Sequence, residues 1–200
     1  MDGALPLSLR IAIALLSVWI LVCCRAANRG APARLGTPEA CDFAAQGEAY
    51  LSSAARPDAV YASVRGPSCG EATFLLQIRT LDSELIYSHA QPFPALLPPS
   101  DTQRKEADLA AAADLLVNRA TAENPLRLAL SLPEYRSGPF EYESSGASLM
   151  REVRVSRDIY SRIRESDRPV FEHIIGWETG RYIAIDPATN RAVAILDSWL

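Results

Sequence analysis

The sequence predicts an α+β domain with a mainly antiparallel β-sheet and two to three helices packed on one face. A hydrophobic N-terminal segment precedes it. Three observations lead there. Stretches of alternating apolar and polar residues come in runs, separated by short links, as in hairpins and meanders. Longer stretches with a 3.6-residue apolar period interrupt these runs at three places. The chain has 200 residues, which leaves room for one well-packed domain behind its leader.

The organisation reads as a leader or anchor over residues 1–24, a flexible basic tether over 25–36 and a single globular domain over 37–200. The apolar run Ile11–Cys24 follows one basic side chain, Arg10. As a helix it would cover about 21 Å, against about 30 Å of hydrocarbon. A full span requires Leu5–Leu9 and drags Arg10 into the membrane, so the length suits a signal peptide better. The stretch Leu21–Cys24, "LVCC", resembles a bacterial lipobox, with an aliphatic residue three places before the cysteine and a small residue directly ahead of it. Cys23 stands where Gly, Ala or Ser is usual. The resemblance implies a lipoprotein whose new N-terminus, Cys24, carries a diacylglycerol. Cleavage after Ala26 would instead release a secreted protein, and an uncleaved anchor is the third reading. The arginines that follow, Arg25, Arg29 and Arg34, would favour a cytoplasmic body for an uncleaved anchor. For a lipoprotein they would lie near anionic head groups.

Elements of the body follow in order. Residues 37–57 read as a helix. Thr37 suits the N-cap and Pro38 the first turn, and Phe43, Ala44, Gly47, Tyr50, Leu51 and Ala54 share one face. Cys41 falls off that stripe, on the helix flank. Ala59–Arg65 reads as a strand. Phe74, Leu76 and Ile78 alternate with Leu75, Gln77 and Arg79, and Glu84–Ala90 forms the returning arm of a hairpin. Residues 93–100 read as a proline-rich loop. Ser100 and Gln103 form a capping box for a helix with the stripe Leu109, Ala112, Ala113, Leu116, Val117 and Ala120. Leu126, Leu128, Leu130 and Leu132 predict a half-buried strand. Residues 138–148 read as irregular, and Ser148–Ser156 as a strand. Ser156 caps a short helix, Arg157–Ser166, and the chain ends in a three-stranded meander whose last turn is "PATN".

Cys41 and Cys69 are the two cysteines outside the leader, and an even count in an exported protein points to a disulfide between them. Their spacing is not that of a zinc site. Net charge is −4; Asp2 and Arg10 cancel and the tether is basic, so the domain itself is acidic. That balance argues against nucleic acid and would suit a basic partner protein. No phosphate-binding loop, dinucleotide fingerprint, serine elbow or zinc-protease motif is present, so no cofactor and no metal are expected.

Two functional readings remain. The first is a non-enzymatic binding module of the bacterial cell envelope, membrane-tethered and facing the periplasm or exterior, of the inhibitor, immunity or assembly-accessory kind. Tyr135, Phe140 and Tyr142 are its candidate contact residues, since aromatics dominate binding hot spots. The second is an envelope hydrolase. His173, set beside Phe171, Ile175 and Trp177 by strand alternation, would be its acid or base, with Glu172 or Asp186 nearby. Few histidines, one lysine and no catalytic motif favour the first.

Overall fold

A computed structural model describes residues 40–99, 105–122, 126–144 and 147–199. All belong to one compact unit, Arg34–Leu200. The leader with Cys24, the tether, the helix start at Thr37 and the Ser100–Gln103 box lie outside the described residues.

The domain is α+β and mostly strands, but it contains two antiparallel sheets where one was expected. The first has four strands in sequential order: β1 (Cys41–Ala49), β2 (Asp58–Gly66), β3 (Thr73–Arg79) and β4 (Leu85–Pro92). The second comprises β5 (Arg127–Leu128), β6 (Phe140–Ser144), β7 (Ala147–Val153), β8 (Pro169–Gly176), β9 (Thr179–Asp186) and β10 (Arg191–Trp199), in the order β5-β8-β9-β10-β7-β6. The helices are α1 (Glu106–Ala120), between β4 and β5, and α2 (Arg157–Arg164), between β7 and β8.

The first core lies between the four-stranded sheet on one side and α1 and the six-stranded sheet on the other. Val60, Val64, Phe74, Leu76 and Ile78 meet Leu109, Ala113 and Val117 from α1, with Phe171, Ile183 and Ile185 from the second sheet. The second core lies on the other face of the six-stranded sheet, where Tyr160 and Ile163 of α2 meet Val170, Ala184 and Leu196. Each sheet thus has its own helix, and the expectation of helices gathered on one face of one sheet gives way to a layered pair.

The largest departure is at the start. Residues 41–49 are strand β1, paired along its whole length with β2, not the first turns of a helix. Cys41, Phe43, Ala45, Gly47 and Ala49 turn inward and Asp42, Ala44, Gln46 and Glu48 outward, a period of two that the abundance of alanine disguised. Gly47 shows why this strand carries small residues. A Cβ there would stand 1.8 Å from the Thr121 carbonyl oxygen at the end of α1, so β1 meets the helix terminus backbone to backbone. Cys41 sits on the buried face, not on a helix flank, and is bonded to Cys69 with Cα atoms 4.9 Å apart. The Glu106 carboxylate accepts a hydrogen bond from the Cys69 backbone N–H, which ties the bridge to the start of α1. Asp58 organises the β1–β2 connection by accepting from the Leu51 and Ser52 backbone N–H groups at 3.0 and 2.7 Å.

Three smaller corrections follow. Leu126–Leu132 is not one strand; a two-residue strand runs into a 3-10 turn, Ala129–Ser131, that buries Ala129 and Leu132 and leaves Leu130 60% exposed. The irregular stretch contains β6, which pairs with β7 from Phe140 to Ser144. The proline-rich loop is anchored by a 3-10 turn in which Phe93 and Leu96 enter the core. The β3–β4 hairpin, α2 with its Ser156 cap and the C-terminal meander form where expected. α1 follows its expected apolar stripe but begins at Glu106, with Lys105 and not Ser100 at its N-cap.

Candidate functional site

A cavity of about 290 Å³ lies where α1 meets the open side of β8. Phe74, Leu116 and Ile174 form its apolar wall, and Arg119, Glu172 and Gly180 its polar rim. It exists because β5 pairs only with Pro169 and Val170, so no described strand flanks β8 beyond that point. Gly180 keeps the floor low: a Cβ there would lie 3.1 Å from both Glu172 Oε1 and Ser198 Oγ.

His173 touches this cavity but faces the layer between the two sheets. It is 6% exposed. Its Nδ1 lies 3.2 Å from the Ile174 carbonyl oxygen, which can only accept, so the proton sits on Nδ1. The bare Nε2 then accepts from the Tyr87 hydroxyl at 2.7 Å. Burial, with His89 beside it, pulls its pKa down to about 3, so the ring is neutral near pH 7. Both nitrogens are engaged within the fold. Burial also raises the Tyr87 hydroxyl to about 12. Beyond Tyr87 lies Arg181, whose guanidinium grips Asp197 with two hydrogen bonds of 2.8 and 3.0 Å; Arg154 approaches the same carboxylate at 3.4 Å. His89 stands 5.1 Å from His173, ring to ring, and burial lowers its pKa. The two histidines therefore meet, but among the described residues no group of three or more His, Cys, Asp or Glu could hold a metal.

The two expected carboxylate partners of His173 lie elsewhere. Glu172 points to the opposite face of β8, where Arg127 donates to it at 2.8 Å. Asp186 pairs in register with Arg191 at the far end of the β9–β10 hairpin, whereas His173 pairs with Arg181. Two hydrogen bonds from Arg162, 2.8 and 3.0 Å, hold the Asp186 carboxyl down at about 2, and it caps the following turn at Ala188 and Thr189. It is a structural anchor for the turn and for α2.

Tyr135, Phe140 and Tyr142 do come together, packed against the second core. Each ring carries an arginine: Arg157 over Tyr135 at 5.4 Å, Arg136 over Phe140 at 5.4 Å and Arg151 over Tyr142 at 3.9 Å. The sequence reading missed Arg119, Gly180 and Arg151. Only Gly180 left a trace, as a glycine opening a strand of otherwise large residues.

Among the described residues no helix is long and apolar enough to cross a membrane. Comparison of the chain with protein-family models, with curated proteins and with solved structures finds no match.

Proposed function

We propose that this chain is a non-enzymatic binding module of the bacterial cell envelope, held at the membrane through its N-terminal segment, and that the cleft beside α1 is where it receives its partner. The observation that carries the reading is the state of the side chains around the cleft. His173 has both nitrogens engaged and Glu172 is paired with Arg127, so among the described residues the cleft offers shape and charge without a free base or nucleophile beside it. The Cys41–Cys69 bridge supports an oxidising compartment for the domain, and its acidity suits a basic partner. Lipid attachment at Cys24 would supply the tether, since two acyl chains anchor firmly where one does not.

The test uses the full chain in a Gram-negative host. Intact mass of the product beside Cys24→Ser reads the tether; added lipid mass lost in the variant supports it, and an unmodified chain from Met1 overturns it. Capture of envelope proteins at low and high salt reads the partner. Specific capture that Ile174→Arg abolishes, at an unchanged Tm, supports the cleft. A blank at both salts overturns the binding reading.

A further inference from the structure

The four-stranded sheet ends in an open edge. β4 is eight residues long, and among the described residues no strand pairs with it on the side away from β3. Phe93 donates its backbone N–H to the Ala72 carbonyl, so bonded pairs recur at every second residue along the ladder: Gln91 with Phe74, His89 with Leu76 and Tyr87 with Ile78. The residues between them, Ser88 and Ala90, therefore turn their N–H and C=O groups away from the sheet. Both carry small, exposed side chains that leave those groups accessible. Edge strands of soluble proteins are ordinarily blunted by charge, above all by lysine, and β4 has no Asp, Glu, Lys or Arg from Leu85 to Pro92.

A ledge lies beyond this edge. Phe171, Ile183 and Ile185 belong to the first core, whereas His173, Arg181 and Asp197 lie against Tyr87 and His89 of β4. On the same face the next residues of β9 and β10 are Thr179 and Trp199, and beside Trp199 in register come Met150 of β7 and Glu141 of β6. β4 is thus the last strand of the first sheet over this face. Trp199 and Met150 are half-buried and packed in neither core. The turn after β4 reaches β8, where the Ala95 carbonyl oxygen lies 4.0 Å from a Cβ placed on Gly176, and β4 itself touches β10. β4 therefore runs across the strands beneath it. A strand laid along its open edge crosses Thr179, Trp199, Met150 and Glu141 in turn.

Charge on the ledge has one sign. Phe140 and Tyr142 pack against the second core, so Glu141 and Glu143 face the ledge side. Asp197 and Glu152 of this face are paired with Arg181 and Arg154. Glu141 and Glu143 are exposed, and among the described residues no arginine or lysine pairs with either; the Ser148 hydroxyl donates to Glu141.

We propose that the open edge of β4 receives an extended basic segment of a partner protein. The segment adds a strand to the four-stranded sheet, sets an apolar side chain on Trp199 and Met150, and sets lysine or arginine on Glu141 and Glu143. Backbone bonds to Ser88 and Ala90 give affinity, and the alternate side chains on the ledge give specificity. A second copy of the chain would bring the same acids and a net charge of −4, which favours a basic partner over self-pairing. The proposal rests on the reading of the chain as a binding module and adds a contact surface apart from the cleft beside α1.

The test is NMR of the full chain in a non-ionic detergent, following amide hydrogen exchange at Ser88 and Ala90 and the indole N–H of Trp199. The probe is the capped peptide Thr-Val-Thr-Val-Thr-Lys-Thr-Lys, whose valines and lysines share one face. Antiparallel to β4, its lysines reach Glu141 and Glu143. The controls are the same peptide with glutamate for lysine, and the same peptide fully N-methylated. Saturable binding that slows exchange at Ser88 and Ala90 is expected with the lysine peptide and with neither control. Ala90→Pro removes an outward N–H, keeps the ladder to β3 and should weaken binding by about tenfold or more. Glu141→Gln together with Glu143→Gln should weaken it several-fold. Should Ala90→Pro fail to fold, the N-methylated peptide puts the same question to the unaltered chain. Equal binding of the glutamate peptide, binding that survives both Ala90→Pro and N-methylation, or no saturable binding overturns the proposal. A dimer of the free chain that Ala90→Pro splits also overturns it, by giving the edge to a second copy. Tighter binding after Arg25, Arg29 and Arg34 are replaced by glutamine does so too, by giving the edge to the chain's own tether. Capture of an envelope protein that Ile174→Arg abolishes and Ala90→Pro spares overturns this surface alone and leaves the binding-module reading standing.

Discussion

Two buried arginines on opposite faces of the six-stranded sheet, Arg181 and Arg151, are held on different terms. Inside, Asp197, Arg181, Tyr87, His173 and the Ile174 carbonyl line up so that each polar group meets another. Outside, Arg151 is as deeply buried and has two tyrosine rings but no acid. A buried ion pair that is complete costs or contributes little overall, and breaking it is expensive. An incomplete one is a standing cost.

The largest effect that would break this contrast is acid. His173 is held neutral in the fold with a pKa near 3, against 6.5 as its ordinary value. The unfolded chain therefore binds the extra proton first as pH falls, and stability present above pH 6.5 is lost progressively towards pH 3. The loss should reach about 4 kcal/mol, read as urea midpoints across that range. His173→Gln, which cannot titrate, should reduce the slope above pH 4, leaving the part that comes from His89, whose pKa burial also lowers; Asp186, held near 2 by Arg162, adds its own loss only below its ordinary value of 3.8. An unchanged slope in His173→Gln would mean that the inner layer is not where the acid acts.

Next comes Asp197→Ala, which strands the Arg181 guanidinium between the sheets. Urea denaturation should show a loss of about 3 kcal/mol. A loss below about 1 kcal/mol would remove the distinction between Arg181 and Arg151. Replacing Cys41 and Cys69 together by serine should cost about 3 kcal/mol on the same assay, through the freedom returned to the unfolded chain. This measures the four-stranded sheet's own anchor and should leave the acid slope of His173 intact. The smallest effect is the sharpest: Arg151→Met should change stability by less than about 1 kcal/mol, or raise it, because it removes an uncompensated charge. A loss as large as that of Asp197→Ala would make Arg151 structural.

Much of the fold was legible because it is written locally. The β3–β4 hairpin follows from Phe74, Leu76 and Ile78, and α1 from the spacing of Leu109, Ala113 and Val117. The C-terminal meander and its "PATN" turn follow likewise, with Asp186 capping the turn as its composition suggests. The failures have a common cause. Residues 41–49 satisfy a period of two and nearly satisfy 3.6, and alanine, which favours helices, tips a local reading the wrong way. What overrules it is the pairing with β2, the bridge to Cys69 and the close approach of Thr121 to Gly47, all contacts between residues distant in sequence. The leucines at 126–132 misled in the opposite sense, since a 3-10 turn buries Ala129 and Leu132 at a spacing of three.

The candidate site was less legible. His173 was visible as a histidine on an apolar face, and its partners Tyr87 and His89 lie on another sheet. Tyr135, Phe140 and Tyr142 were visible as aromatics, but not the arginines stacked on them.

The sequence by itself determined the α+β composition, the strand-rich order of elements and the acidic body, because each depends on residue type and short-range spacing; the even cysteine count pointed to the Cys41–Cys69 bridge, which the tertiary structure closes. Only the tertiary structure decided that there are two sheets, that residues 41–49 form a strand and that His173 has both nitrogens engaged. It alone placed Arg151, Ser198 and Gly180 in one row across three strands. Those outcomes depend on which buried groups find partners across the fold, and partnering between distant residues leaves no periodic mark along the chain.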